Sequence, residues 1–317
     1  MQPIGHYNIL ERLGTGALGD VYRARDLKVG RTVALMTPAP ELTADAEQRA
    51  RFVAEARAAT TLNHPNIASL YDVVDQDGRL YLAYEFAAGP SLRDEMGGRP
   101  VNVRRALEIA AQITDALGEG HSRGLIHGDL RPENVVVTPK GSVKILNFGL
   151  AQWTTGGRAR KTASLPDGLG SDPHGVAGYL SPEQALGGAI DARSDVFSFG
   201  VILQEMITGQ NPFAGSTPAA TVINIVRVSP STPTASQPIP AALSSLITGT
   251  LSKPVEARPQ NAASLSSQLR QIVSALDAPE GKVPAKELIP AAPKSSGGWW
   301  VAAVAVVVLL AVLWLVL

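Results

Sequence analysis

The chain has 317 residues, with 28 lysines and arginines against 28 aspartates and glutamates, a formal net charge of zero and no cysteine. The lack of cysteine excludes a disulfide scaffold, a thiolate metal site and a cysteine nucleophile. The balanced charge lacks the basic excess of a general nucleic-acid binder, and the length leaves ample core for one large domain or two lobes.

Residues 7–37 alternate in the manner of strands broken by glycines: YNILERLG, DVYRARD and RTVALM, with Lys28-Val29-Gly30 as a hairpin connection. From Thr43 to Leu62 the spacing turns helical and places Phe52, Ala56 and Ala59 on one face. The stretch IASLYDVVDQDGRLYLAYEFA predicts a further pair of strands around a turn at Gln76-Asp77-Gly78. After Gly89 the periodicity predicts helices over Ser91–Met96, Val103–Gly120, Ser194–Thr208, Thr217–Val228, Leu243–Leu251 and Ala262–Leu276, with a short β-rich patch at 135–146. The chain therefore reads as α+β: a small β-rich lobe over 7–88, a larger helical lobe over 89–276, and a cleft between them, the usual place for a ligand.

Residues 277–298, DAPEGKVPAKELIPAAPKSSGG, are rich in proline and end Ser-Ser-Gly-Gly, the composition of a linker. Residues 299–317, WWVAAVAVVVLLAVLWLVL, contain no charge, amide or hydroxyl. As a helix they span about 28 Å, close to the hydrocarbon thickness of a bilayer. Trp299 and Trp300 stand at one edge, and Lys282, Lys286 and Lys294 flank it. The positive-inside tendency then predicts a single-pass membrane protein with residues 1–298 in the cytoplasm.

The stretch Leu13-Gly14-Thr15-Gly16-Ala17-Leu18-Gly19-Asp20-Val21 is a G-x-G-x-x-G-x-V between two predicted strands. Such glycines let backbone N–H groups approach phosphates, although a tight hairpin also uses them. Further on come His127-Gly128-Asp129-Leu130-Arg131-Pro132-Glu133-Asn134, then Asn147-Phe148-Gly149, then Gly178-Tyr179-Leu180-Ser181-Pro182-Glu183-Gln184, then Asp191-Ala192-Arg193-Ser194-Asp195 leading to Phe199-Gly200. In order and spacing these motifs resemble the bacterial eukaryotic-like (Hanks-type) serine/threonine protein kinases, from about Tyr7 to Leu276. The resemblance implies a bilobal kinase fold that transfers phosphate from ATP with Mg2+.

Carried over residue by residue, the resemblance makes Asp129 the catalytic base position, Asn134 a metal ligand and Arg131 the substitute for a catalytic-loop lysine. Leu13, Val21 and Ala34 become the roof of the nucleotide cleft, with Gly14, Gly16 and Gly19 as its phosphate loop and Val136 as its floor. Tyr84 falls at the gatekeeper position and Glu85 to Ala88 at the hinge. Glu183 and Arg258 form a bracing ion pair, Asp195 caps its helix and braces the catalytic loop, and His64, His121 and His127 are structural.

Other positions depart from the pattern. The β3 lysine that holds phosphates is Met36, the D-F-G aspartate is Asn147, and the H-R-D arginine is Gly128. Arg23 and Arg25 are the nearby cations, expected on a solvated strand face. Glu55 matches the helix glutamate that pairs with the missing lysine and is expected to turn outward or find another cation, since an uncompensated buried charge is costly. The basic run Arg158-Ala159-Arg160-Lys161, with Thr162 and Ser164, reads as a solvated activation loop. ATP is thus expected to bind weakly and Mg2+ to find little purchase. The expected function is a membrane-anchored pseudokinase that works with protein partners in signalling, or else a weakly active kinase or a nucleotide sensor.

Overall fold

The computed structural model describes residues 3–16, 18–150, 153, 175–230, 233 and 238–277. The expected activation-loop residues 158–164, the linker beyond residue 277 and the apolar stretch 299–317 lie outside them.

Strands β1 (Tyr7–Thr15), β2 (Gly19–Asp26), β3 (Thr32–Pro38), β4 (Leu70–Gln76) and β5 (Arg79–Glu85) form an antiparallel sheet in the order β1-β2-β3-β5-β4. The β2–β3 hairpin is tied by Asp26, whose carboxylate accepts from the N–H groups of Lys28 and Val29. Gly19 sits at φ 150°, and a Cβ there would lie 2.0 Å from the Thr37 carbonyl oxygen, so only glycine allows β2 to start where it does. Period-2 alternation sorts β3 between two apolar clusters: Val33 and Leu35 pack on one face with Ala24 and Ala83, while Ala34 and Met36 face the other.

Helix α1 (Ala46–Ala59) starts at Asp45, whose side chain accepts from the Gln48 N–H at 2.7 Å. Its buried residues are Phe52, Ala56 and Ala59, the face that the spacing predicts. The helix is shorter than the predicted 43–62 because Thr60 and Thr61 turn their hydroxyls back onto the carbonyls of Arg57 and Ala58.

The second lobe holds α2 (Leu92–Met96), α3 (Val103–Ser122), the two-stranded ribbon β6 (Val135–Val137) and β7 (Val143–Ile145), α4 (Pro182–Ala185), α5 (Ala192–Thr208), α6 (Pro218–Arg227), α7 (Ala241–Thr250) and α8 (Ala262–Asp277). Every residue of α5 from Ser194 to Ile207 is buried, so this helix is the axis of the lobe. Phe197 on α5 stacks on Phe213 at 5.6 Å, and the Lys253 Nζ lies 3.8 Å from the Phe213 ring centroid. The predicted start of α5 at Ser194 is two residues late, because Asp191 caps the helix by accepting from the Arg193 N–H. Asp195, expected to cap this helix, lies in its first turn and points elsewhere.

Candidate functional site

The loop from His127 to Asn134 follows α3 and leads into β6. Its backbone is held by Asp195, which is fully buried. Asp195 Oδ2 accepts from the His127 N–H at 2.8 Å, Oδ1 accepts from the Gly128 N–H at 2.7 Å, and His121 Nε2 lies 2.8 Å from Oδ2. The Asp129 N–H donates to His127 Nδ1 at 3.2 Å, which leaves the His127 Nε2 proton to donate to the Leu146 carbonyl at 2.9 Å. Both ring nitrogens of His127 therefore join loop segments, in keeping with a structural role. Gly128 has φ 66°, a left-handed conformation in which side chains are strained.

The polar residues of the loop converge. Arg131 Nε lies 3.4 Å from Asp129 Oδ1, with both side chains buried. The Asn134 Nδ2 donates to the Asp129 carbonyl at 2.8 Å and to Asp129 Oδ2 at 3.2 Å. Asn147 Nδ2 in turn donates to Asn134 Oδ1 at 3.4 Å. Asn147 has φ 59°, a conformation that asparagine tolerates better than most residues, so its backbone keeps the turn while its side chain carries no charge. This group fits Mg2+ poorly: it offers one carboxylate, and both amides are already bonded within the group. Among the described residues no three histidine, cysteine, aspartate or glutamate side chains group in a way that would hold a metal ion.

Between the lobes lies a cavity of about 330 Å3. Leu13, Val21 and Ala34 line one side and Val136 and Leu146 the other, with Glu85, Phe86 and Ala87 at the edge and Arg131, Asn134 and Asn147 at the mouth of the catalytic loop. Gly16 lines it as well, whereas Gly14 and Gly19 shape the turn without bordering the cavity. Arg131 is the cavity's lining cation among the described residues. Arg23 pairs with Glu11 at 2.8 Å on the outer side of the sheet and Arg25 is exposed, as expected of a solvated face.

The rear of the cavity is apolar. Met36 is 3% exposed and clusters with Leu18, Phe52, Tyr84, Leu150 and Trp153. The Tyr84 hydroxyl is buried without a hydrogen-bond partner among the described residues, and burial pushes its pKa up. Glu55 departs from the sequence expectation: it is half-buried and accepts a hydrogen bond of 2.6 Å from the Trp153 indole N–H. The Trp153 ring meets Phe52 edge-on at 5.3 Å. A neutral donor thus answers the carboxylate without a second charge being buried. Leu18 and Trp153 are missing from the sequence reading; the signal available was a large apolar side chain within a glycine-rich turn and another just past Asn147-Phe148-Gly149.

Away from the cavity, Arg258 donates to both oxygens of Glu183 at 2.8 Å, and Ser194 Oγ donates to Glu183 Oε1 at 2.6 Å. Burial works to raise the Glu183 pKa, but these donors outweigh it and hold the carboxyl below its ordinary value. A further network that the sequence did not disclose joins Arg93 to Glu133 at 2.8 Å and to Glu205 at 2.7 Å, with the Tyr179 hydroxyl bonded to both Arg93 and Glu205.

The family model for the protein kinase domain matches residues 7–271. The serine/threonine-protein kinase PknB of Mycobacterium tuberculosis is 36% identical over 274 residues, covering 84% of this chain and 42% of that protein. The probable serine/threonine-protein kinase SCO3848 of Streptomyces coelicolor is 37% identical over 241 residues, or 74% of this chain and 35% of that protein. The chain thus aligns with less than half the length of either relative. In fold it is similar to the crystal structure of the Mycobacterium tuberculosis PknI kinase domain, with a TM-score of 0.61 at 23% identity over 85% of this chain and 97% of that one. The matched motifs, the bilobal architecture and the shared sequence place this chain in the protein kinase domain family.

Proposed function

We propose that the chain is a membrane-anchored pseudokinase: a kinase-fold module that binds or regulates protein partners in signalling and has little or no phosphotransfer of its own. The observation that carries this reading is Met36, packed at 3% exposure into an apolar cluster at the position where the family uses a phosphate-binding lysine. Asn147 adds to it by replacing a metal carboxylate with an amide bonded to Asn134. Losing one charge-assisted phosphate contact costs about 1.5–3 kcal/mol. If the metal ligand is worth a similar amount, the two losses slow transfer by roughly 10²–10⁴-fold.

A second reading, a weakly active serine/threonine kinase, draws on the braced loop that keeps Asp129, Arg131 and Asn134 together. It also draws on relatives that are named as kinases. Membrane tethering rests on the composition of residues 299–317, and the absence of a nucleic-acid partner rests on the balanced charge.

The test is phosphate transfer to itself or to a generic basic protein, across wild type, Met36→Lys, Asn147→Asp and the double variant. The expected result is an inert wild type, inert singles and a double variant that gains activity, because the cation and the metal site must be present together. Wild-type activity that Asp129→Asn abolishes would overturn the pseudokinase reading in favour of the weak kinase.

A further inference from the structure

We infer that the cleft is built for an uncharged, flat heteroaromatic ligand of nucleoside size, held without Mg2+ in preference to a nucleoside triphosphate. The inference rests on the reading of the site as non-catalytic and names the ligand class that such a site takes.

The cavity of about 330 Å3 is sandwiched between Leu13, Val21 and Ala34 on one side and Val136 and Leu146 on the other. Apolar walls on two sides suit a planar ring, whose burial is favourable in proportion to its apolar area. A triphosphate needs positive charge where its phosphates lie, and the site withholds it. The ionisable side chains that line the cavity are Glu85, Glu133 and Arg131. Arg131 is engaged by Asp129 at 3.4 Å. Glu85 is matched by Lys144 at 2.6 Å and Glu133 by Arg93 at 2.8 Å, and Glu133 Oε2 is buried without a donor among the described residues. The cleft therefore holds two carboxylates and one committed cation, a balance that repels a polyanion.

Metal ions ordinarily offset such repulsion, but here Asn147 donates to Asn134 and Asn134 to Asp129, so the amides are joined to one another. Met36 and Leu18 close the rear with apolar surface. The buried Tyr84 hydroxyl lacks a partner among the described residues and stands in the rear lining, where a ligand nitrogen or carbonyl would satisfy it.

The test is a calorimetric titration of the full chain in detergent with adenosine, and with ATP in the absence and presence of Mg2+. Adenosine is expected to bind about tenfold more tightly than ATP, with Mg2+ changing the ATP affinity by less than about twofold. Met36→Lys, checked for folding by its melting curve, should move the adenosine-to-ATP ratio about tenfold towards ATP. ATP binding tighter than adenosine in the presence of Mg2+ would overturn the inference, as would a failure of adenosine to bind at millimolar concentration. The wild-type comparison decides the matter even if Met36→Lys does not fold. Phosphate transfer abolished by Asp129→Asn would instead overturn the non-catalytic reading, a result read in a separate assay.

Discussion

The floor and the roof of the cleft treat charge in opposite ways. Beneath the cavity, Asp195 is fully buried and yet remains a carboxylate with three donors around it, and Arg258 lies buried against Glu183. Above it, Met36 and Leu18 pack into an apolar cluster, and the glutamate on α1 is answered by an indole. The difference follows from who the partner is. Asp195 serves backbone N–H groups that need an acceptor whether or not a ligand is present. A lysine at position 36 would serve a phosphate, and without one it is a buried cation that a methionine of similar reach replaces at lower cost.

The comparison is broken most directly at the floor. Arg258→Met removes one partner of a buried pair and leaves Glu183 uncompensated, for an expected loss of about 3–5 kcal/mol in chemical denaturation. A loss below about 1 kcal/mol would mean that the pair is as dispensable as a surface ion pair. Next in size, Asp195→Asn removes charge-assisted acceptance from the loop N–H groups and should cost about 1.5–3 kcal/mol. Hydrogen exchange localises it: protection of the His127 and Gly128 amides should fall first, and uniform loss across the lobe would argue for general unfolding instead.

At the roof, Met36→Leu is a volume-conserving change and should cost less than about 1.5 kcal/mol. A larger loss than that of Asp195→Asn would erase the contrast between the two regions. The smallest expected effect is one of pH. Burial, and then the neighbouring Arg258, depress the Lys253 pKa from its ordinary 10.5 to about 8. Between those values the unfolded chain binds more protons than the folded one, so stability should rise as pH increases from about 8 towards 10.5. Lys253→Met should flatten this rise in thermal melts taken across the same range, and an unchanged slope would show that the contact with Phe213 offsets the burial.

The architecture was legible in the sequence because its carriers are periodic or ordered along the chain. The α1 face, the β-strand alternation and the order of the loop motifs all survive in the fold, and the Glu183–Arg258 pair forms as the family pattern implies. What escaped depends on side chains meeting across the fold. Trp153 is remote from Glu55 in the sequence, and nothing local announces that its N–H will reach that carboxylate. Leu18 reads as one more residue of a glycine-rich turn until β2 and β3 place it beside Met36. Arg93, Glu133 and Glu205 come from separate segments and meet through packing alone. The predicted cap at Asp195 failed for a related reason: a carboxylate near a helix start is used for whichever donors tertiary structure brings, and here Asp191 took the capping role.

The brace from Asp195 also has a timing. The amides of His127 and Gly128 lie 68 and 67 residues before the carboxylate that receives them. On a ribosome adding 5–20 residues per second, the loop emerges roughly 3–13 s before its acceptor is synthesised. Helix α3 and the β6–β7 ribbon have time to form in that interval, whereas the loop between them has no internal source for those bonds. Its final geometry is therefore acquired only once α5 has been made and docked, so the chemistry-bearing loop is among the later parts of the nascent lobe to settle.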